Sequence, residues 1–234
     1  PGDASLGGIY LWPRVFSLIN YEYVFKDKDL LWAFFITIAR TVVGTVSSVF
    51  FTAAFAYGLS KKHLIGRKFF IAMMMITMYF SGGLIPQYLL YKYMGLLGNF
   101  LVLIIPCLFG AYNAILLMSF FRTISTEIEE SAKIDGANDL LIFVKIIIPI
   151  SMPVIATIAL FNGVYHWNSW FDAMIFGGRK LQTIQGSLAQ IIMTAQTKVV
   201  ENNPQMQNFK DKMVKPTGET IKLATMVITT VPIT

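Results

Sequence analysis

Long apolar stretches alternate with short polar ones along this chain. Residues 31–59, 69–90, 100–121 and 140–165 each come near or exceed the roughly 20 mainly apolar residues that a helix needs to cross a bilayer. A further apolar run starts at residue 223 and reaches Thr234. The pattern predicts an all-α fold, a polytopic membrane helix bundle. Residues 1–30 read as an extracytoplasmic loop and interfacial helix, with Trp12 and Tyr21 as interfacial anchors or sugar contacts. Residues 31–234 read as the membrane domain.

Within the spans, residue type marks expected packing. Gly44, Ser48, Thr52, Ala56 and Ser60 fall four apart, a small-residue stripe that lets another helix approach closely. Arg40 is expected to snorkel to the headgroups, with an ion pair in a solute pathway as the sharper reading. Ser81-Gly82-Gly83 and Pro86 interrupt the second span, and residues 91–99 read as a tight outer turn with Gly95 and Gly98. Broken helices at membrane depth are tolerated where backbone is buried in protein or lines a cavity. Pro149 and Pro153 should bend the fourth span. Asn113, near mid-membrane in the third, is either a helix–helix hydrogen-bonding group or a solute contact.

Composition sharpens this picture. The chain has 234 residues and only 14% charged side chains, and its mean hydropathy is +0.60. Soluble domains carry about 25% charge. The net charge of +6 therefore reads as loop topology, and no basic run interleaved with aromatics suggests nucleic acid. Lys61, Lys62, His63, Arg67 and Lys68 make a short basic loop, cytoplasmic by the positive-inside rule. Residues 69–90 then run outward, 100–121 run back, and the polar stretch beginning at Glu127 is also cytoplasmic. Cys107 reads as a small hydrophobe, and His63 and His166 lack ligand spacing, so no metal site is expected.

That polar stretch is the most informative in the chain. Ser125 or Thr126 can cap a helix whose first turns hold Glu127, Glu129 and Glu130, where the helix dipole favours negative charge. Ser131, Ala132, Gly136 and Ala137 are small, and Gly136 permits a sharp turn. The spacing Glu-x-Ala-x3-Gly-x9-Ile-x-(aliphatic)-Pro, on Glu130, Ala132, Gly136, Ile146, Ile148 and Pro149, resembles the cytoplasmic signature loop of ATP-binding-cassette importer permeases. Ser131 stands where that family usually has Ala. Asp135-Gly136-Ala137 matches a form common in its sugar permeases. The run Thr77 to Pro86 with Tyr88, and Trp167-Asn168-Ser169-Trp170-Phe171, resemble the maltose-type, oligosaccharide subfamily.

The resemblance covers almost the whole chain and implies a permease subunit of a binding-protein-dependent importer in a bacterial plasma (inner) membrane. Its signature loop, 127–149, would act as a coupling helix between spans through Glu127, Glu130, Ser131, Ala132, Asp135, Gly136 and Ala137. The implied partners are a second permease, two ATPase subunits, an extracellular solute-binding protein, an oligosaccharide and membrane lipid. ATP and Mg would be bound by the ATPase subunits and no cofactor by this chain, which has no phosphate loop of the G-x4-G-K-[ST] type. Tyr79, Tyr88, Asn113, Tyr165, Trp167 and Asn168 are candidate pathway residues; for the aromatics near 165–171 an interfacial belt is the competing reading. Residues 166–222 are expected as an outer loop, with an amphipathic helix over 181–194. Six spans are implied and five are visible, the last cut short, so the chain reads as an excerpt lacking the first. A permease for a non-sugar solute is the nearest alternative. A stand-alone secondary transporter is disfavoured because no carboxylate lies centrally in a span.

Overall fold

A computed structural model describes residues 27–190 and, beyond them, Met193, Met226, Val227 and Thr230. The interfacial segment with Trp12 and Tyr21, most of the outer loop past residue 190 and nearly all of the last span lie outside the described residues. Among the described residues there is no strand. Helix α1 spans Lys28–Ser60. Asp27 caps its start, the carboxylate accepting from the Asp29 amide at 2.9 Å. At 1.5 Å per residue its length is about 50 Å. One face carries Ala33, Thr37, Arg40, Ser48, Thr52 and Ala56, all buried. The small-residue stripe is thus the inward face. Trp32, Phe35, Val42, Val46 and Phe50 point outward and are exposed, an apolar surface suited to lipid.

Arg40 departs from expectation. Its relative exposure is 0%, so it does not snorkel. It falls in helical register with Thr37 and Gly44, on the packed face, where its stem and head are covered by protein.

Among the described residues, only α1 is a single helix long and apolar enough to cross a membrane, while three bent pairs would each complete a span. In the first pair, α2 (Arg67–Tyr79) and α3 (Leu84–Tyr93) meet at 116°, so 69–90 does not run outward as one rod. The break is at the glycines: Phe80 turns extended, and Gly83 has φ +85°. Pro86 lies in the first turn of α3, where an amide has no intrahelical partner to lose, and so breaks nothing. The turn expected over 91–99 starts later, because Tyr91 to Tyr93 are still helical; Gly95 and Gly98 carry it with positive φ.

In the second pair, 3-10 turns at Phe100–Leu103 and Ile105–Cys107 precede α4 (Ala111–Phe121), bent by 47°. Here α1 supplies what the broken backbone lacks. The Thr52 hydroxyl donates to the Leu108 carbonyl and accepts from the Gly110 amide, each at 3.4 Å. In the third pair, α6 (Asp139–Ile142), a π-helical stretch at Phe143–Ile147 and α7 (Ile148–Ile150) lead into α8 (Met152–Asn168), bent by 84°. The bend is centred on Ser151, between the two prolines. The broader π turn ends just before Pro149.

Two compact units divide the chain: Ala39–Trp167, and Pro1–Ile38 with Asn168–Thr234. The first holds a core of Ala53, Ala56, Tyr57 and Leu59 from α1, Met74 from α2, Leu117 and Phe121 from α4, and Ile142, Phe143, Ile147 and Ile158 beyond. In the second, the Thr37 hydroxyl accepts from the Ile184 amide at 2.9 Å, and the Trp32 indole donates to the Lys180 carbonyl at 2.9 Å. Residues 184–190 are helical, within the amphipathic stretch expected there.

Candidate functional site

The signature loop folds as helix, turn, helix. Helix α5 spans Thr126–Ile134. Of the two candidate caps, Ser125 is the one used, its hydroxyl accepting from the Glu127 amide at 3.3 Å. Glu127 and Glu129 occupy the first turn and Lys133 the last, each charge matched to the helix dipole. The end is a Schellman turn: the Gly136 amide donates to the Lys133 carbonyl at 3.0 Å and the Ala137 amide to the Ala132 carbonyl at 2.9 Å. Gly136 has φ +83°, and a Cβ there would meet nothing within 4 Å. The demand for glycine is therefore conformational and not spatial. The Asn138 side chain then caps α6, accepting from the Leu141 amide at 2.8 Å. Lys133 pairs with Asp139 across the turn at 3.0 Å. That carboxylate's hydrogen bond and charge raise the Lys133 pKa above its ordinary value.

Glu127 and Ser131 of α5 and Asp135, its C-cap, follow one another at intervals of four residues. With Ile128, Ala132 and Ile146 they line an open groove of about 430 Å³. Its rim is acidic and its floor apolar. Ala132 is buried and joins the core, so the floor of the groove is also the helix's anchor to the bundle. Glu130 is exposed, and neither it nor Gly136 lines the groove. Ala137 is half-buried against the core.

The loop also touches the basic loop at the end of α1. The Lys61 ammonium pairs with the Glu129 carboxylate and lies 4.0 Å from the Tyr57 ring centroid. The two polar loops therefore lie at one end of this unit. The pair was not legible in advance. Lys61 and Glu129 are 68 residues apart, and each looks like one charge among several.

The pathway candidates are scattered by comparison. Tyr79 ends α2 and is 73% exposed; Tyr88 lies on α3. The Asn113 amide donates to the Asn162 side-chain oxygen at 3.4 Å, the helix–helix pairing that was one of its two readings. Asn162, a polar residue in an apolar span, was the available signal for that partner. Tyr165, 54% exposed, has its hydroxyl 4.0 Å from the Cys107 sulfur. Trp167 is half-buried and Asn168 exposed. His166, given no role from the sequence, is fully buried against α1, and a Cβ on Gly44 would come within 2.6 Å of its Nε2. Among the described residues no group of His, Cys, Asp and Glu could hold a metal ion.

Comparison with known proteins agrees with this architecture. Residues 68–233 match the model of the family described as "Binding-protein-dependent transport system inner membrane component". The chain is 40% identical over 225 residues to the polygalacturonan/rhamnogalacturonan transport system permease protein YtcP of Bacillus subtilis, covering 94% of this chain and 76% of that protein. It is 39% identical to protein LplC of the same organism, covering 96% and 74% of the two chains. Its fold is similar to a chain in the crystal structure of a bacterial ABC transporter involved in importing the acidic polysaccharide alginate. That similarity has a TM-score of 0.86 and 32% identity, covering 99% of this chain and 81% of the other. On these matches, and on the membrane bundle and signature loop that accompany them, the chain belongs to the family of binding-protein-dependent transport system inner membrane components, the permeases of ABC importers.

Proposed function

We propose that this permease carries oligosaccharide, delivered by an extracellular binding protein, through a pathway shared with a second permease, and that ATP is hydrolysed by two separate ATPase subunits. The observation that carries the reading is the α5 groove. It is open to solvent, apolar at its floor and acidic at its rim, on a helix whose geometry is set at both ends by its own caps. Such a surface suits a protein knob with an apolar tip and flanking cations. An ATPase subunit docked there would push α5 when its dimer closes, and the two-state bundle would shift between inward- and outward-facing forms by the differential binding of nucleotide. ATP and Mg belong to those partners in this reading.

The substrate class rests on the relatives. One is named for polygalacturonan and rhamnogalacturonan, and the similar structure is an importer of the acidic polysaccharide alginate. Uronate-containing oligosaccharides are therefore the first solutes to test, with neutral ones beside them. Tyr79, Tyr88, Asn113, Tyr165, Trp167 and Asn168 remain pathway candidates, and among them Tyr165 offers an exposed ring and hydroxyl suited to a sugar face.

The test is purification of the full-length tagged protein in mild detergent with mass spectrometry of what accompanies it, followed by uptake in liposomes. We expect an ATPase and a second permease at stoichiometric levels, and ATP-dependent uptake of an acidic oligosaccharide. A chain that purifies alone, folded and transporting without ATP, would overturn the importer reading. Uptake confined to a non-sugar solute would overturn the substrate class only.

A further inference from the structure

We infer that Lys61 is the positioning residue through which displacement of α5 reaches α1, a role that rests on the importer reading above. Lys61 follows the last residue of α1. Its one ammonium group meets two elements at once: the Glu129 carboxylate of α5, and the face of Tyr57, one turn back in α1. Tyr57 is itself wedged. Its ring stacks on Phe143 at 5.1 Å and 27°, and meets Phe121 edge-on at 6.1 Å and 85°. Phe143 opens the π-helical stretch late in the signature loop, and Phe121 ends α4. A single cation thus ties the docking helix to an aromatic cluster shared by three other segments.

Several features separate this contact from an ordinary surface pair. The Lys61 and Glu129 side chains are only 29% and 19% exposed, so water and salt screen them less than they would an open pair. The acid is selective by place: of the three glutamates in α5, Glu127 faces the groove and Glu130 is exposed, while Glu129 turns toward Lys61. The contact also adds a route that the chain itself lacks. Through the backbone, α5 leads forward into α6 and the π-helical stretch. Only a cross-segment contact leads from α5 back to α1, the longest helix described and the one whose inward face packs the unit. Within α5, Ala132 is the residue that joins the buried core, an apolar contact without the directionality of the Lys61–Glu129 pair.

The test uses the complete importer in liposomes, with uptake and ATP hydrolysis measured on one preparation. The variants are Lys61→Glu, Glu129→Lys and the two together. Each single reversal is expected to lower the solute carried per ATP by about fivefold or more, the scale of a typical coupling between sites, and the double reversal, which rebuilds the ion pair but sets a carboxylate against the Tyr57 face, to restore part of it. Single variants with the wild-type ratio would overturn the inference, and so would a double variant no better than the singles. Where charge reversal prevents assembly, Lys61→Met and Glu129→Gln keep the side-chain stems. A lowered ratio in an intact complex then supports the relay, and an unchanged ratio overturns it. If the wild-type complex imports no oligosaccharide, the substrate reading has failed. The relay is then read from binding-protein-stimulated ATP hydrolysis, which the single variants should lose and the double variant regain in part.

Discussion

The signature-loop end and the broken α2–α3 arm belong to the same unit and differ in almost every respect. At the loop end, caps, a Schellman turn, an ion pair and an aromatic cluster fix each segment against another. Along α2 and α3, Met74 and Tyr91 are the buried residues, and large side chains such as Phe69, Tyr79, Phe80 and Ile85 are exposed. One region is completed by this chain. The other presents apolar surface that lipid or another subunit must cover. On the proposed reading, the coupling element would be built from local geometry that a single chain can hold, and the shape of the solute pathway would be left to assembly.

The comparison can be broken most severely at Gly136. Gly136→Asp is expected to abolish uptake while membrane insertion, followed by fractionation, stays intact. Gly136→Asn, which tolerates positive φ and adds no charge, should keep more activity. Wild-type uptake by Gly136→Asp would remove the coupling role from this turn. Next is Gly44→Ala, whose Cβ would lie 2.6 Å from the buried His166 ring. Overpacking of this kind costs about 1–3 kcal/mol, and should appear as a lower melting temperature in detergent. Gly58→Ala is the control, since a Cβ there meets nothing within 4 Å.

A smaller effect is expected at Asn113 and Asn162. A double-mutant cycle to alanine should give a coupling of about 0.6 kcal/mol, the average for hydrogen bonds between membrane helices. A coupling of zero, with altered solute selectivity in Asn113→Ala, would move Asn113 from packing to the pathway. The least effect belongs to Lys133 and Asp139, both well exposed. Because the folded protein raises the Lys133 pKa, its contribution is fully present below the ordinary value of 10.5 and fades as pH rises through the raised value. Melting measured between neutral and mildly alkaline pH should therefore not register this pair.

What could be read from the sequence follows the same division. The N-cap and closing turn of α5 rest on neighbouring residues, so Ser125 or Thr126 and Gly136 announced them, whereas the Asn138 cap of α6 was not foreseen. The inward stripe of α1 was visible because a helix repeats its faces at fixed intervals. Arg40 was misread because its register with that stripe was weighed less than its charge. Lys61–Glu129, Asn113–Asn162 and Gly44–His166 join residues far apart along the chain, and no local pattern encodes such meetings. The bend angles were hidden for a similar reason. Glycines and prolines mark where a helix can break, but the direction of the next segment is decided by what it packs against.

The length of α1 has a consequence for where docking occurs. A bilayer with its headgroups is about 40–45 Å thick, and this helix, upright, would be several ångströms longer. Set upright with its first turn at one surface, it would bring the junction at its end, with Tyr57, Lys61 and the α5 helix, to the level of the opposite headgroups or just past them, within reach of a soluble protein. Shortening α1 by one turn would draw that junction down among the headgroups and close it to a partner without altering a single residue of the junction itself.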